Sequence, residues 1–359
     1  MELNSKYMRT EEKVIFALRE LYTKYGYLQF KMSKFEEYDL YVRNKDFLVS
    51  DSVITFNDTN GKLLALKPDV TLSIIKNSSD DNETVQKLYY NENVYRISKD
   101  THSFKEIMQT GLECIGNINT YNVCEVLTLA AKSLASISDA YVLDLSHMGL
   151  ISSVLDGIND ETKKLILKYI SEKNTHDLVT LCEKENINAS ILTSLISVSG
   201  NAKEIKEKLS KIPFPDASRD ALAEIYEIAD VIKKLPERDH IRFDFSITND
   251  MNYYSGIVFK GYIEGIPTGI LTGGRYDLLM NKMGKSSAAI GFAVYLDFLE
   301  RYMEETKEYD TDILLLYSSN DDISAVLNTV SSLTSQGNRV QAETCVPENL
   351  KYKTLLRFE

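Results

Sequence analysis

Between Phe104 and Gly116 the sequence reads as one strand, Phe-Lys-Glu-Ile-Met-Gln-Thr-Gly-Leu-Glu-Cys-Ile-Gly. Side chains two apart share a face of a strand, so Gln109, Gly111 and Glu113 point the same way. An amide and a carboxylate then flank a residue without a side chain, which leaves a gap on the sheet. A small zwitterion suits that gap: Glu113 can bind an ammonium group and Gln109 can donate or accept. Arg96, on the preceding run, can reach the same face and bind a carboxylate or phosphate. The same residues also suit a solvated sheet face with a surface ion pair between Arg96 and Glu113. Asp69 and Thr71 suit a helix cap, Tyr253-Tyr254 core aromatics and Gly273-Gly274 a plain turn.

Other chemistries lack their signatures. No GxGxxG follows a strand, and neither GxSxG nor HExxH occurs. Gly284-Lys285-Ser286 looks like the tail of a P-loop, but the first glycine of that motif falls at Leu279. A phosphoribosyltransferase is expected to carry an acidic pair after an apolar strand, and Tyr141 to Leu145 offers Asp144 alone. The four histidines and four cysteines have no metal-ligand spacing, and buried reduced thiols are expected. No metal, cofactor or catalytic residue is implied.

These residues need a scaffold, and 359 residues with 43% hydrophobic content suffice for two domains with a sizeable core. The net charge of −12 argues against a nucleic-acid partner, whose binding rests on Lys and Arg. Residues 1–9 are polar and no apolar run is long enough to span a bilayer, so a cytoplasmic protein is expected. The patterning predicts a helix capped by Thr10, with Val14, Leu18, Leu21 and Tyr25 on one face and Gly26 at its end. Residues 27–56 read as extended segments and loops, and Asn57 to Gly61 as a turn. Lys62 to Lys67 reads as a strand, and Pro68 as the first turn of a helix running to about Lys76. Strands at 87–98 and 104–116 form a hairpin around Lys99-Asp100-Thr101-His102-Ser103, and a helix starts near Asn119. Residues from about 147 to 237 read as a helical insertion. Strands return at 241–247, 254–263 and 267–272, and a helix is expected from about Ser287 to Glu305, with Ala293, Leu296, Leu299 and Met303 on one side. A small α/β unit follows: a strand at Ile313–Tyr317, a helix at Asp321–Gln336 and a strand at Arg339–Glu343.

An ordered set of segments resembles the histidyl-tRNA synthetase family over about residues 1–305. Leu66-Lys67-Pro68-Asp69-Val70-Thr71 is similar to the family's Leu-Arg-Pro-acid-x-Thr segment. Val94-Tyr95-Arg96 and Gln109-Thr110-Gly111-Leu112-Glu113 resemble the strands of class II motif 2, and Asn252-Tyr253-Tyr254-Ser255-Gly256 the histidine-specific Tyr-Tyr-Thr-Gly segment. Gly273-Gly274-Arg275-Tyr276-Asp277 and Ile290-Gly291-Phe292-Ala293 resemble the motif 3 region. The resemblance implies an α+β fold, a class II aminoacyl-tRNA synthetase-like antiparallel sheet flanked by helices, dimeric through that domain. Residues 311–359 would be the first part of an anticodon-binding-like unit. It also implies a histidine pocket. Asp69, Thr71 and Glu113 would hold the amino group, Arg96 and Gln109 would lie near the carboxylate, and Tyr253 and Tyr254 would line the imidazole end.

The departures point away from aminoacylation. Ser98 stands where the synthetases carry an acid, Asn249 where they carry an arginine for the ATP α-phosphate, and Phe298 where the motif 3 arginine grips the ATP tail. Losing a bidentate cation removes several kcal/mol of transition-state stabilisation. The pattern resembles a paralogous family, the regulatory subunits of ATP phosphoribosyltransferase in histidine biosynthesis. That resemblance implies a non-catalytic partner of the short-form catalytic subunit, with histidine as effector. A divergent histidyl-tRNA synthetase is the alternative.

Overall fold

The computed structural model describes residues 8–44, 48, 53–80, 84–97, 102–248, 253–302 and 308–358. Ser98 to Thr101, Asn249, Asn252 and Met303 to Glu305 lie outside the described residues. Two compact units divide the chain, Met1–Met303 and Glu304–Glu359.

Helix α1 spans Thr10–Lys24 and buries Val14, Ile15, Leu18 and Tyr22. Arg9, not Thr10, is its cap, and Glu12 accepts from the Arg9 amide at 2.8 Å. Gly26, at φ +83°, donates to Thr23 and ends the helix, because only glycine enters the left-handed region without cost. Strands β1 (Leu28–Gln29), β2 (Phe35–Glu37), β3 (Thr55–Asn57) and β4 (Leu63–Leu66) follow, with helix α2 (Tyr38–Arg43) between β2 and β3. That helix corrects the extended reading of 27–56. Asp58 ties the β3–β4 turn by accepting from the Asn60 and Lys62 amides. Helix α3 is Thr71–Asn77, so Pro68 precedes it rather than opening it.

The long hairpin is β5 (Gln86–Ile97) and β6 (Phe104–Gly116), followed by α4 (Thr120–Ala135), which Asn119 caps, and by β7 (Tyr141–His147). The insertion carries α5 (Met148–Val154), α6 (Asp160–Ser171), α7 (Thr175–Lys184), α8 (Ser190–Ser197), a short strand β8 (Ser199–Asn201), α9 (Ile205–Ser210) and α10 (Arg219–Ile232). Then come β9 (Ile241–Asp244), β10 (Ile257–Ile263), β11 (Leu271–Arg275), α11 (Asp277–Lys282), β12 (Ala288–Tyr295) and α12 (Asp297–Tyr302). The expected helix over 287–305 is a strand at Ala288–Tyr295 and a helix only at Asp297–Tyr302. β12 is covered on both faces, so Ala-Ala-Ile-Gly-Phe-Ala-Val-Tyr shows no apolar–polar alternation, and its apolar run mimics a buried helix.

Among the described residues nine strands form one sheet in the order β1-β5-β6-β12-β11-β10-β7-β9-β8. It is antiparallel except at the β1–β5 and β7–β9 pairs. The architecture is α+β, a mostly antiparallel sheet flanked by helices. Alternation along β6 divides the core. Leu112 and Cys114 join a cluster with α1, α4 and the insertion, while Ile115 joins a second with α3 and α11. Gln109, Gly111 and Glu113 share the parity of Ile115 and therefore its face. Among the described residues no helix is long and apolar enough to cross a membrane.

The second unit contains β13 (Thr311–Leu316), α13 (Ile323–Ser335), β14 (Val340–Glu343) and β15 (Tyr352–Arg357), with β13 central and parallel to both neighbours. β15 was not legible as a strand: its residues are mostly exposed, so they carry no buried face to read.

Candidate functional site

Asp69, Thr71, Arg96, Gln109, Glu113, Tyr253 and Tyr254 all line one cavity of about 330 Å³ on the α3 face of the sheet. Register explains the gathering. On β5 Leu88 lies opposite Glu113 and Glu92 opposite Gln109, so the even positions of β5, Tyr90 and Arg96 among them, share the face of the odd positions of β6. β12 lies on the other side of β6, with Gly291 opposite Glu113 and Tyr295 opposite Gln109.

Glu113 is the centre of the acidic end. It is 2% exposed, accepts from Thr71 Oγ1 at 2.8 Å on one oxygen and from the Tyr276 hydroxyl on the other. Burial pushes its carboxyl up to about 8, with Asp69 adding to the rise against the two hydroxyl donors. Burial also raises Asp69, opposed by the Leu72 amide in the first turn of α3, which donates to Asp69 Oδ1 at 2.9 Å, and by the Arg96 charge. Tyr253, Tyr254 and Tyr276 are all pushed up by burial, so they remain hydroxyl donors. The Tyr253 ring lies 4.5 Å from Tyr254 and 5.8 Å from Tyr276, centroid to centroid, forming an aromatic wall.

The other end carries an amide and a guanidinium. Gln109 is 3% exposed, and its Nε2 is buried without a hydrogen-bond partner. A buried amide donor left unpaired costs about 1–3 kcal/mol, which an entering acceptor removes. Arg96 donates from Nε to the Pro68 carbonyl at 3.0 Å and lines the cavity. The surface ion pair between Arg96 and Glu113 is not formed, because Glu113 is buried and committed to hydroxyl donors.

Two glycine readings change. Gly111 does not leave a gap: a Cβ there would meet the Tyr90 hydroxyl at 2.6 Å, so Tyr90 fills the space. The glycine that makes room is Gly291, whose Cβ would lie 1.8 Å from Glu113 Oε2. Gly273-Gly274 is part of β11 rather than a turn, and Gly274 leaves space for the Tyr254 ring. Sequence reasoning also missed Tyr90, Thr272, Tyr276 and Tyr295 as lining residues. Tyr276 had a signal in Gly-Gly-Arg-Tyr-Asp, but its bond to Glu113 spans 163 positions and leaves no local pattern. Phe298 lies on α12, half-buried against the core, with its ring 6.4 Å from that of Tyr295.

A large, mostly antiparallel sheet with this cavity on one face defines the histidyl-tRNA synthetase fold. Residues 1–299 match the histidyl-tRNA synthetase family, and the chain belongs to it. Within that family it is similar to ATP phosphoribosyltransferase regulatory subunits. That of Bacillus cereus is 26% identical over 348 residues, covering 93% of this chain and 82% of the relative. Among solved structures, an ATP phosphoribosyltransferase regulatory subunit/histidyl-tRNA synthetase from Bacillus halodurans superposes with a TM-score of 0.79, at 21% identity and 99% coverage of both chains. A chain of the ATP phosphoribosyl transferase (HisG:HisZ) complex from Thermotoga maritima gives 0.63, at 19% identity, over 81% of this chain and 98% of that one.

Proposed function

We propose that this chain is a non-catalytic regulatory subunit of ATP phosphoribosyltransferase that activates the short catalytic subunit and carries feedback inhibition by histidine. The observation that carries the reading is the two-ended cavity. Asp69 and Glu113 offer a cation its counter-charge, and the unpaired Gln109 amide offers an acceptor its donor. Histidine has both groups, and its ring suits the Tyr253–Tyr254 wall. Asp69, Thr71 and Glu113 take the positive group, Gln109 and Arg96 the carboxylate, and the two tyrosines the imidazole. Histidine then favours the less active state of the complex by binding that state better. The protein works in the cytoplasm and pairs with a second copy through its synthetase-like domain, with 311–359 a partial anticodon-binding-like unit.

Membership of the synthetase family favours a second reading, histidine activation with ATP. Against it, Arg96 is the one cation among the described lining residues, and Phe298 supplies none.

The test is ATP phosphoribosyltransferase activity of the short catalytic subunit, with and without this chain, across a histidine titration. Activity that needs this chain and falls as histidine rises is the expected result. If the chain changes nothing, the regulatory reading is lost, and histidine-dependent ATP–pyrophosphate exchange decides the second reading.

A further inference from the structure

The pocket's tyrosine wall is tied through the sheet to the helical insertion. Arg275, the last residue of β11, stands on the opposite face from Tyr276. Its carbonyl accepts from the Ser255 amide at 3.0 Å, and its side chain crosses Gly256, where a Cβ would come within 3.1 Å of Arg275 Cδ. Arg275 thereby holds the strand start that follows Tyr253 and Tyr254. Its guanidinium bonds Asp277 Oδ2 at 2.8 Å and lies 3.6 Å from Glu224 Oε1, on α10 of the insertion. The other Glu224 oxygen meets His147 Nε2 at 3.1 Å. His147 Nδ1 accepts from the Leu150 amide at 3.1 Å, which assigns the ring proton to Nε2 and makes it the donor to Glu224. The next amide, Met148, donates to Gly256 at 2.8 Å, so both arms of the network end on the same loop. Burial disfavours a charged Glu224, but the His147 and Arg275 contacts outweigh it and keep its carboxyl below the usual range.

We infer that Glu224, acting through Arg275 and His147, is a positioning residue for the Tyr253–Tyr254 wall, so that the insertion sets the shape of the pocket. Glu224 is not among the described residues that line the pocket. Its effect reaches the ligand because Arg275 and Asp277 flank Tyr276, the donor to Glu113. The identity of the ligand as histidine rests on the function proposed above; the mechanical tie does not.

The experiment is residue-resolved hydrogen exchange on the full-length protein without ligand, comparing wild type, Glu224→Gln, Arg275→Met and the double variant. Glu224→Gln is near-isosteric and removes the charge. The pair is partly exposed, with side chains 28% and 25% accessible, so the expected effect is about tenfold faster exchange at the Ser255 and Met148 amides. The β5–β6 amides should keep their protection. Because Glu224 acts through Arg275, adding Glu224→Gln to Arg275→Met should add little at Ser255, whereas a merely structural role is additive. Unchanged exchange at Ser255, additive effects, or equal loss across β5–β6 would each overturn the inference. A parallel calorimetric titration keeps the two claims apart. Wild type that ignores histidine removes the functional reading, while exchange still decides the positioning role. Wild type that binds should outbind Glu224→Gln by about tenfold.

Discussion

At the scale of single residues, Glu113 is the pocket carboxyl whose protonation burial changes most directly for a ligand. Its carboxyl is raised by burial to about 8, against 4.5 for a free glutamate. The folded chain therefore holds a proton between those values that the unfolded chain has released. The contribution of Glu113 to stability is fully present below about 4.5 and is lost as pH rises through about 8, since the folded state binds more protons across that window. A cationic ligand reverses the preference, because it needs the carboxylate. Binding should release a proton, and affinity should rise with pH between about 6 and 8. Calorimetry in two buffers of different ionisation enthalpy measures the released proton directly. Glu113→Gln should abolish both the proton release and most of the binding, and should flatten the thermal melting point between pH 5 and 8. Wild-type binding with no pH dependence would place the ligand's positive group elsewhere.

The strands, more than any one side chain, decide whether the pocket exists. Gln109 and Glu113 were legible as same-face residues because period-two alternation needs only the sequence of β6. The long hairpin, α1, α4 and the helical texture of the insertion were legible for the same reason, a local period. What alternation within one strand cannot reveal is its neighbour. Nothing in β6 says that Tyr90 fills the space at Gly111, or that Gly291 on β12 yields to the Glu113 carboxylate. β12 was misread because burial on both faces erased its alternation. Its glycine then becomes the sharpest element-level prediction. Gly291→Ala puts a methyl group where Glu113 Oε2 now sits, so either the β6–β12 pairing shifts or Glu113 leaves its hydroxyl donors. A destabilisation of about 1–3 kcal/mol is expected from such overpacking. Urea titration reads the stability and histidine calorimetry the pocket. Ala at 291 with unchanged stability and unchanged binding would show that this contact is not fixed in solution.

For the whole molecule the proposed function poses the question of how a pocket on one face of a sheet would govern a reaction on another protein. On the proposed reading the synthetase fold supplies a ligand site without the chemistry: Phe298 would stand where the family grips ATP, while Asp69, Gln109 and Glu113 still line the cavity. A site that binds and does not react can act only through differential affinity, so the effector must prefer one state of the complex. Linkage makes that preference reciprocal. If histidine shifts the complex toward its less active state by some factor, docking of the catalytic subunit must change the histidine affinity of this chain by the same factor. Couplings of this kind are typically about 5–150-fold. The prediction is two histidine titrations by calorimetry, one with this chain alone and one with the preassembled complex, expected to differ within that range. The difference should also match the shift in assembly measured when the chain is saturated with histidine. Equal affinities in the two titrations, with activity still falling as histidine rises, would mean that histidine acts at a site outside this pocket, and the regulatory role of Asp69, Gln109 and Glu113 would have to be given up.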